Sequence, residues 1–272
     1  MKKKRSDAII GAIGGDIIGS VYEYIGARHE DIKFFKNGCM FTDDTVLTIA
    51  VADWIMNRER PLSDYLLQYG REYYQADYGH SFFQWLWSPK PMPYNSYGTG
   101  SAMRVSAVGC VADSVEEAME LAKESAMPTH NHPEGIKGAQ AIAVAVCLAR
   151  HMDDKDSIRA FLKSTFDYDL NRSYKEIHDA AYRFSEICQT TVPEALICFF
   201  ESESYEDCIM KAMLTNKDAD TAAAAAGAVA GAYYGISEDL RKKVLSYLPS
   251  DFIDVIEKFD EDDSVNDSKT VV

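Results

Sequence analysis

No Pro/Gly/Ser-rich linker divides this 272-residue chain, so the two small domains its length would allow have no place to separate. A single domain is expected over residues 1–250, followed by an acidic C-terminal tail over 251–272. Clustered Lys and Arg are missing too, apart from Lys2-Lys3-Lys4-Arg5, which reads as a short exposed tail. Lys and Arg number 28 against 43 Asp and Glu, a formal net charge of −15. That balance excludes a nucleic-acid backbone or an anionic membrane surface as the main partner, since both need patches of positive charge. Part of the negative charge is local, in the run Asp260-Glu261-Asp262-Asp263, and a solvated tail is expected from there to Val272. The cysteines Cys39, Cys110, Cys147, Cys188, Cys198 and Cys208 form no Cys-x-x-Cys pair, and no secretory leader precedes them. Reduced thiols in the cytoplasm are the expectation. Residues 8–25 are apolar but carry Asp16 and Glu23, and 222–235 are too short and too rich in small side chains to cross a membrane. A soluble monomer is expected.

Several catalytic signatures are also absent. There is no Gly-x-Ser-x-Gly, no Walker A lysine and no His-Glu-x-x-His. Gly11-Ala12-Ile13-Gly14-Gly15-Asp16 has the glycines of a dinucleotide loop, but no strand precedes it. Alternation of period two, the mark of a half-buried strand, is not found. Helical periodicity takes its place. Ile9, Ile13, Ile17 and Val21 recur every four residues, while Asp16, Ser20 and Glu23 share another face that should look at solvent or at a site. Further helices are expected from Val46 onward and over 115–126, 137–150, 156–165, 173–186, 192–201, 205–213, 221–234 and 238–245, which makes the chain all-α.

Loops concentrate between residues 77 and 133. They hold Tyr78-Gly79-His80, a proline-rich stretch over 89–93, Asn95-Ser96-Tyr97-Gly98-Thr99-Gly100-Ser101, and Pro128-Thr129-His130-Asn131-His132-Pro133. Gly98 and Gly100 permit close backbone approach to a ligand, or simply a loop between helices. His130 and His132 lack the further Cys or His that zinc needs, so a hydrogen-bonding His130 in a pocket is the better reading. Phe82, Phe83, Trp85 and Trp87 read as core or as the wall of an aromatic pocket. Arg104 reads as a phosphate partner or as half of a structural salt bridge.

Two short motifs carry the most chemistry: Thr42-Asp43-Asp44-Thr45 and Asp218-Ala219-Asp220-Thr221, each just ahead of an apolar helical run. Asp and Thr are favoured helix caps, which accounts for one Asp per motif more easily than for two. If folding brings the motifs together, four carboxylates converge and repel unless cations sit between them, and all-oxygen ligands suit Mg²⁺, Mn²⁺ or Ca²⁺.

These motifs, in this order, resemble the ADP-ribosylglycohydrolase family, which includes the dinitrogenase-reductase-activating glycohydrolases, the eukaryotic ADP-ribosylhydrolases and the J-type crystallins. The resemblance runs over residues 10–235. It rests on Gly15-Asp16-Ile17-Ile18-Gly19 with Glu23, Phe41-Thr42-Asp43-Asp44-Thr45, Tyr78-Gly79, Ser96-Tyr97-Gly98-Thr99-Gly100-Ser101-Ala102-Met103-Arg104, Thr129-His130 and Asp218-Ala219-Asp220-Thr221. It implies a single-domain orthogonal bundle of helices that hydrolyses the glycosidic bond between ADP-ribose and an acceptor at two divalent cations, Mg²⁺ or Mn²⁺. The resemblance makes Thr42, Asp43 and Asp44 ligands of one cation and Asp218, Asp220 and Thr221 ligands of the other, with Asp220 bridging. It gives Glu23 and Asp43 catalytic roles in orienting water and moving a proton. Ser96, Tyr97, Gly98, Gly100, Ser101 and His130 would surround ADP-ribose, with Gly79 on the phosphate side. The implied partner is an ADP-ribosylated protein or small molecule, with nucleic acid only as an ADP-ribosylated acceptor.

Two positions depart from the family pattern. Asn216-Lys217 stands where Gly-Gly is usual, so crowding of the metal loop and competition by the Lys217 ammonium are expected. Gly98-Thr99-Gly100 replaces Gly-Asn-Gly, removing an amide that can both donate and accept. Two alternatives stay open: a relative that binds ADP-ribose or metal without efficient hydrolysis, as the crystallins do, and an all-helical metal phosphohydrolase, for which the expected His-Asp pairing is missing.

Overall fold

A computed structural model describes residues 3–152, 154–180 and 184–261. Among them the chain forms helices and one isolated bridge, between Gly98 and Ile187. The helices run α1 (Asp7–Gly19), α2 (Asp43–Met56), α3 (Leu62–Glu72), α4 (His80–Leu86), α5 (Gly100–Met103), α6 (Ser106–Val111), α7 (Val115–Ala126) and α8 (Pro133–His151). They continue with α9 (Lys155–Phe166), α10 (Tyr174–Ala180), α11 (Cys188–Phe200), α12 (Tyr205–Thr215), α13 (Ala219–Tyr234), α14 (Glu238–Leu245) and α15 (Ser250–Glu261). No helix among the described residues is long and apolar enough to cross a membrane.

The centre is α13, packed against α1, α8, α11 and α12. Its run of Ala and Gly is buried from residue 219 to 232, as a helix apolar on every side must be. Small side chains let α1 come so close that the two backbones nearly touch. A Cβ on Gly15 would lie 2.2 Å from the carbonyl oxygen of Ala223, and one on Gly19 would lie 2.5 Å from Cα of Asp220. Glycines four apart share one helix face, so this contact repeats along both helices. It also carries the second acidic motif up against α1.

The polar face expected on the first helix is not solvent-facing. Every residue of α1 is buried, and the helix ends at Gly19, so Glu23 stands in the following turn instead of on the helix. The helix expected over 173–186 also divides. Its first half is α10, residues 181–183 lie outside the described residues, and 184–187 have no helical structure.

The expected domain boundary at 250 needs correcting. Phe252, Val255, Ile256 and Phe259 recur at helical spacing in α15 and are buried against the core, where each fully buried side chain of this size contributes about 1.5–3 kcal/mol. Asp260 accepts hydrogen bonds from the backbone and hydroxyl of Ser6, both at 2.8 Å, and Arg241 lies 2.6 Å from buried Asp7. The packed body therefore continues through residue 261, and the rest of the acidic tail lies outside the described residues. Phe82 and Trp85 are buried, whereas Phe83 and Trp87 are exposed, so the aromatic group is only half core.

Substituting Gly15→Ala forces a methyl group into the α13 backbone, which no rotamer change relieves. Urea unfolding is expected to show a loss of at least about 3 kcal/mol. Gly79→Ala, whose Cβ meets nothing within 4 Å, should stay within about 0.5 kcal/mol of the parent.

Candidate active site with clustered carboxylates

Asp16, near the end of α1, is fully buried and reaches across to the first turn of α2. Its Oδ2 accepts from the backbone N–H groups of Thr42 (3.0 Å) and Thr45 (3.1 Å) and from the Thr45 hydroxyl, while Oδ1 accepts from the Thr42 hydroxyl at 2.8 Å. Three donors thus crowd Oδ2, while Oδ1 accepts one and keeps a lone pair. Asp16 therefore holds the α2 N-terminus in place, with Thr42 as the local cap that accepts from the Asp44 N–H at 3.4 Å. Capping on α2 is done by Asp16 and Thr42, and the carboxylates of Asp43 and Asp44 are left for other work. At the head of α13, Asp218 makes no side-chain cap bond, and Asp220 accepts the adjacent Thr221 N–H at 2.9 Å.

The two motifs do converge. Asp16, Asp44 and Asp220 offer oxygens within 4.8 Å of one another, and so do Glu23, Asp218 and Asp220. Asp220 belongs to both groups. The Thr221 hydroxyl donates to Asp44 Oδ2 at 3.1 Å, but Asp44 Oδ1 is buried without a hydrogen-bond partner. Burial, then neighbouring carboxylates, push Asp43, Asp44 and Asp220 well above the ordinary range. Burial raises Asp16 to about 6 against the pull of its Thr donors, and raises Asp218 to about 7. Glu23 is also raised, by burial and then by Asp77. Packed acids with an orphaned oxygen are the donor set that a divalent cation satisfies.

These carboxylates form one wall of a cavity of about 450 Å³. Glu23, Asp43, Asp44, Gly79, Ser96, Gly98, Gly100, His130, Asp218, Asp220 and Thr221 line it. Thr42, Tyr97 and Ser101 do not. Thr42 is tied to Asp16, exposed Tyr97 packs on the His132 ring at 5.2 Å, and the Ser101 hydroxyl donates to the Gly135 carbonyl at 2.7 Å. His132 caps α8 through its Nδ1, which accepts from the Glu134 N–H, while His130 faces the cavity. Burial, then Arg104, hold the His130 imidazole well below its usual pKa and so neutral. Arg104 has no salt bridge among the described residues. It donates to the Ser125 carbonyl and the Thr129 hydroxyl, both at 3.0 Å, and burial lowers its pKa to about 10.

Sequence reasoning missed Asp77, Tyr94 and Glu186 on this wall. Asp77 has a left-handed φ of 61°, a turn signal ahead of Tyr78-Gly79, but nothing in the chain announces that Glu186 would join it. The two departures from the family pattern explain how Glu186 arrives. Thr99 donates from its N–H (2.8 Å) and hydroxyl (3.3 Å) to the Glu186 carbonyl. Asn216 is buried and pairs twice with Ser185, donating to its carbonyl at 2.8 Å and accepting from its N–H at 3.1 Å, and it also accepts from Asp218 N–H at 3.1 Å. Asn216 thus clamps the loop instead of crowding it. Lys217 does not line the cavity, and its stem packs beside Gly26.

A carboxylate whose folded pKa lies above its unfolded value takes up a proton on folding, so its stabilising effect is present at lower pH and is lost as pH rises through the folded pKa. With Asp16 raised from 3.8 to about 6 and Asp218 from 3.8 to about 7, chelator-treated protein should melt at progressively lower temperature from about pH 4 up to about pH 7, and level off toward pH 8. Mn²⁺ should raise the melting temperature, and more so at pH 8 than at pH 6. Calorimetric scans across that range check both; a melting temperature that ignores Mn²⁺ at pH 8 counts against a cation site.

The ADP-ribosylglycohydrolase family profile matches residues 2–268. The chain is similar to ADP-ribosylhydrolase ARH3 of Homo sapiens, at 24% identity over 314 aligned residues spanning 85% of each protein. It is similar to ADP-ribosylarginine hydrolase Tri1 of Pseudomonas putida (strain GB-1), at 24% identity over 262 residues, 85% of this chain and 70% of that one. A solved structure described as an ADP-ribosylglycohydrolase-related protein complex superposes with a TM-score of 0.62 at 21% identity, covering 95% of this chain and 96% of that chain, which shows a common fold. With the family match running through nearly the whole length, the chain belongs to the ADP-ribosylglycohydrolase family.

Proposed function

We propose that the protein hydrolyses the glycosidic bond joining the distal ribose of ADP-ribose to an acceptor, using two divalent cations, Mg²⁺ or Mn²⁺. The observation that carries this reading is Asp220, shared by two groups of three carboxylates of which all but Asp16 line a cavity of nucleotide-binding size. Asp43, Asp44, Asp218 and Asp220 would hold the cations, with Glu23 beside Asp218. Thr221 lines the cavity and commits its hydroxyl hydrogen to Asp44, which leaves its oxygen lone pairs for a cation, whereas Thr42 is engaged with Asp16 and the Asp44 N–H. When bound, divalent cations supply positive charge that orients ribose hydroxyls and acidifies water next to the scissile bond.

The chain's own residues do the rest. Gly98 and Gly100 let ligand approach the backbone, and neutral His130 stands beside them to bind it. Glu23 and Asp43 line the cavity with pKa values raised by burial, so their carboxylates are placed to orient water and to pass a proton between it and the departing acceptor atom. Negative charge along this wall favours the oxocarbenium-like transition state of glycosidic cleavage. Leu47, Tyr78 and Phe82 add apolar surface to the cavity lining.

Asp220→Asn keeps side-chain shape and removes the shared charge. Release of ADP-ribose from arginine-linked, serine-linked and O-acetyl substrates is expected to fall by at least about 10³-fold on whichever the parent cleaves, roughly 4 kcal/mol of transition-state stabilisation. Circular dichroism should be unchanged, and the chelated variant should be no less stable than the chelated parent, since a repelling charge is gone. Turnover equal to the parent overturns the assignment. Calorimetric binding of ADP-ribose by the parent, with no release from any of these substrates, replaces hydrolysis by binding alone.

A further inference from the structure

We infer that Arg104 and Thr129 are positioning residues for His130: two consecutive hydrogen bonds fix its imidazole as the Nε2–H tautomer, presenting a donor to an oxygen atom of the bound ligand. The inference rests on the functional reading above only for the identity of that ligand.

The argument follows hydrogen atoms along the chain of contacts. A guanidinium has donors and no acceptors. Arg104 directs Nη2 at the Thr129 hydroxyl oxygen, 3.0 Å away, so that oxygen accepts. Thr129 is completely buried, and its own O–H must find another acceptor. The remaining polar neighbour of the hydroxyl among the described residues is His130 Nδ1, at 2.7 Å. Thr129 therefore donates to Nδ1, and Nδ1 carries no hydrogen. The opposite arrangement, with Nδ1–H donating to Thr129, would make the oxygen accept twice and strand a buried hydroxyl hydrogen. Because burial and the nearby guanidinium keep the ring neutral, its single N–H is on Nε2.

Nε2 is on the ligand side. A Cβ on Gly100 would lie 2.9 Å from His130 Cε1 and 3.0 Å from Nε2, and one on Gly98 would lie 3.8 Å from Nε2. The two glycines thus leave this edge of the ring open beside the loop. Among the described residues no protein group hydrogen-bonds to Nε2, and His130 lines the cavity. A neutral N–H in that place pairs with a phosphate or hydroxyl oxygen and offers nothing to a cationic or donor-only group. Arg104 also makes this arrangement durable. Its Nη2 is anchored on the Ser125 carbonyl as well, and with a pKa near 10 it remains a donor at neutral pH.

The test begins on ligand-free parent protein labelled with ¹⁵N. Long-range ¹H–¹⁵N correlation spectra resolve the ring nitrogens of its six His, and the set that vanishes in His130→Gln belongs to His130. An unprotonated Nδ1 with a protonated Nε2 is expected; the reverse pattern, or an averaged mixture, overturns the inference. Thr129→Val should produce that mixture and weaken ADP-ribose binding by about tenfold in calorimetry, while Thr129→Ser keeps both the tautomer and the affinity. Persistence of the Nε2–H pattern in Thr129→Val also overturns it. If Thr129→Val does not fold, the parent spectrum decides alone. An Nε2–H pattern in a parent that binds no ADP-ribose supports the relay and removes the functional reading.

Discussion

Everything at the site depends on how closely α1 and α13 approach. Glycines facing one another across the two helices bring backbone against backbone, and Gly19 touches Cα of Asp220. Helices separated by ordinary side chains would sit 8–10 Å apart, and the acids at their ends would not share a cation. The contact has an electrostatic consequence. Asp16 on one helix and Asp220 on the other are carried into a buried space together with Asp44, and burial makes each charge costly. Packing of apolar helices is what holds these acids against their mutual repulsion.

Within that crowd, hydrogen bonding separates the engaged carboxylates from those with oxygens to spare. Asp16 accepts four hydrogen bonds from Thr42 and Thr45, three on Oδ2 and one on Oδ1, and it stiffens the start of α2. Asp44 is short of partners, with one oxygen satisfied by Thr221 and the other by nothing. The contrast is informative because both residues are buried and both belong to the same group of three. A carboxylate engaged by four hydroxyl and amide donors has less left for a cation, whereas an orphaned buried oxygen gains most from one.

The helices with long apolar periodicity were legible. Those over 115–126 and 238–245 occur with the same ends, and both acidic motifs open the helices expected of them. The short helices α3 to α6 were not, because four to eleven residues give too few turns for a periodic signal and aromatic or glycine-rich composition blurs it. α15 was hidden behind its own acidity, since the run at Asp260 drew attention from the apolar stripe of Phe252, Val255, Ile256 and Phe259. In the site, residues that sit in recognisable motifs could be named in advance. Glu186 and Asp77 could not, because their place depends on contacts between segments far apart in the chain. Tyr97 and Ser101 were named from their motif, yet their side chains turn to His132 and Gly135, away from the cavity.

The positions that break the family pattern show why a substitution cannot be read without its surroundings. Asn216 and Lys217 in place of two glycines suggest a crowded metal loop when only the sequence is considered. In the fold, Asn216 spends its amide on Ser185, Thr191 and Asp218, and Thr99 bonds the next residue, Glu186, from the opposite side. Glycine at 216 could offer no side-chain partner to any of these groups. The segment over 185–187 is thereby stitched between the loop that leads into Asp218 and the loop that carries Gly98 and Gly100. A displacement of either loop strains hydrogen bonds to this segment, which ties the loop before Asp218 to the loop of Gly98 and Gly100. The two departures thus act on adjacent residues, Ser185 and Glu186.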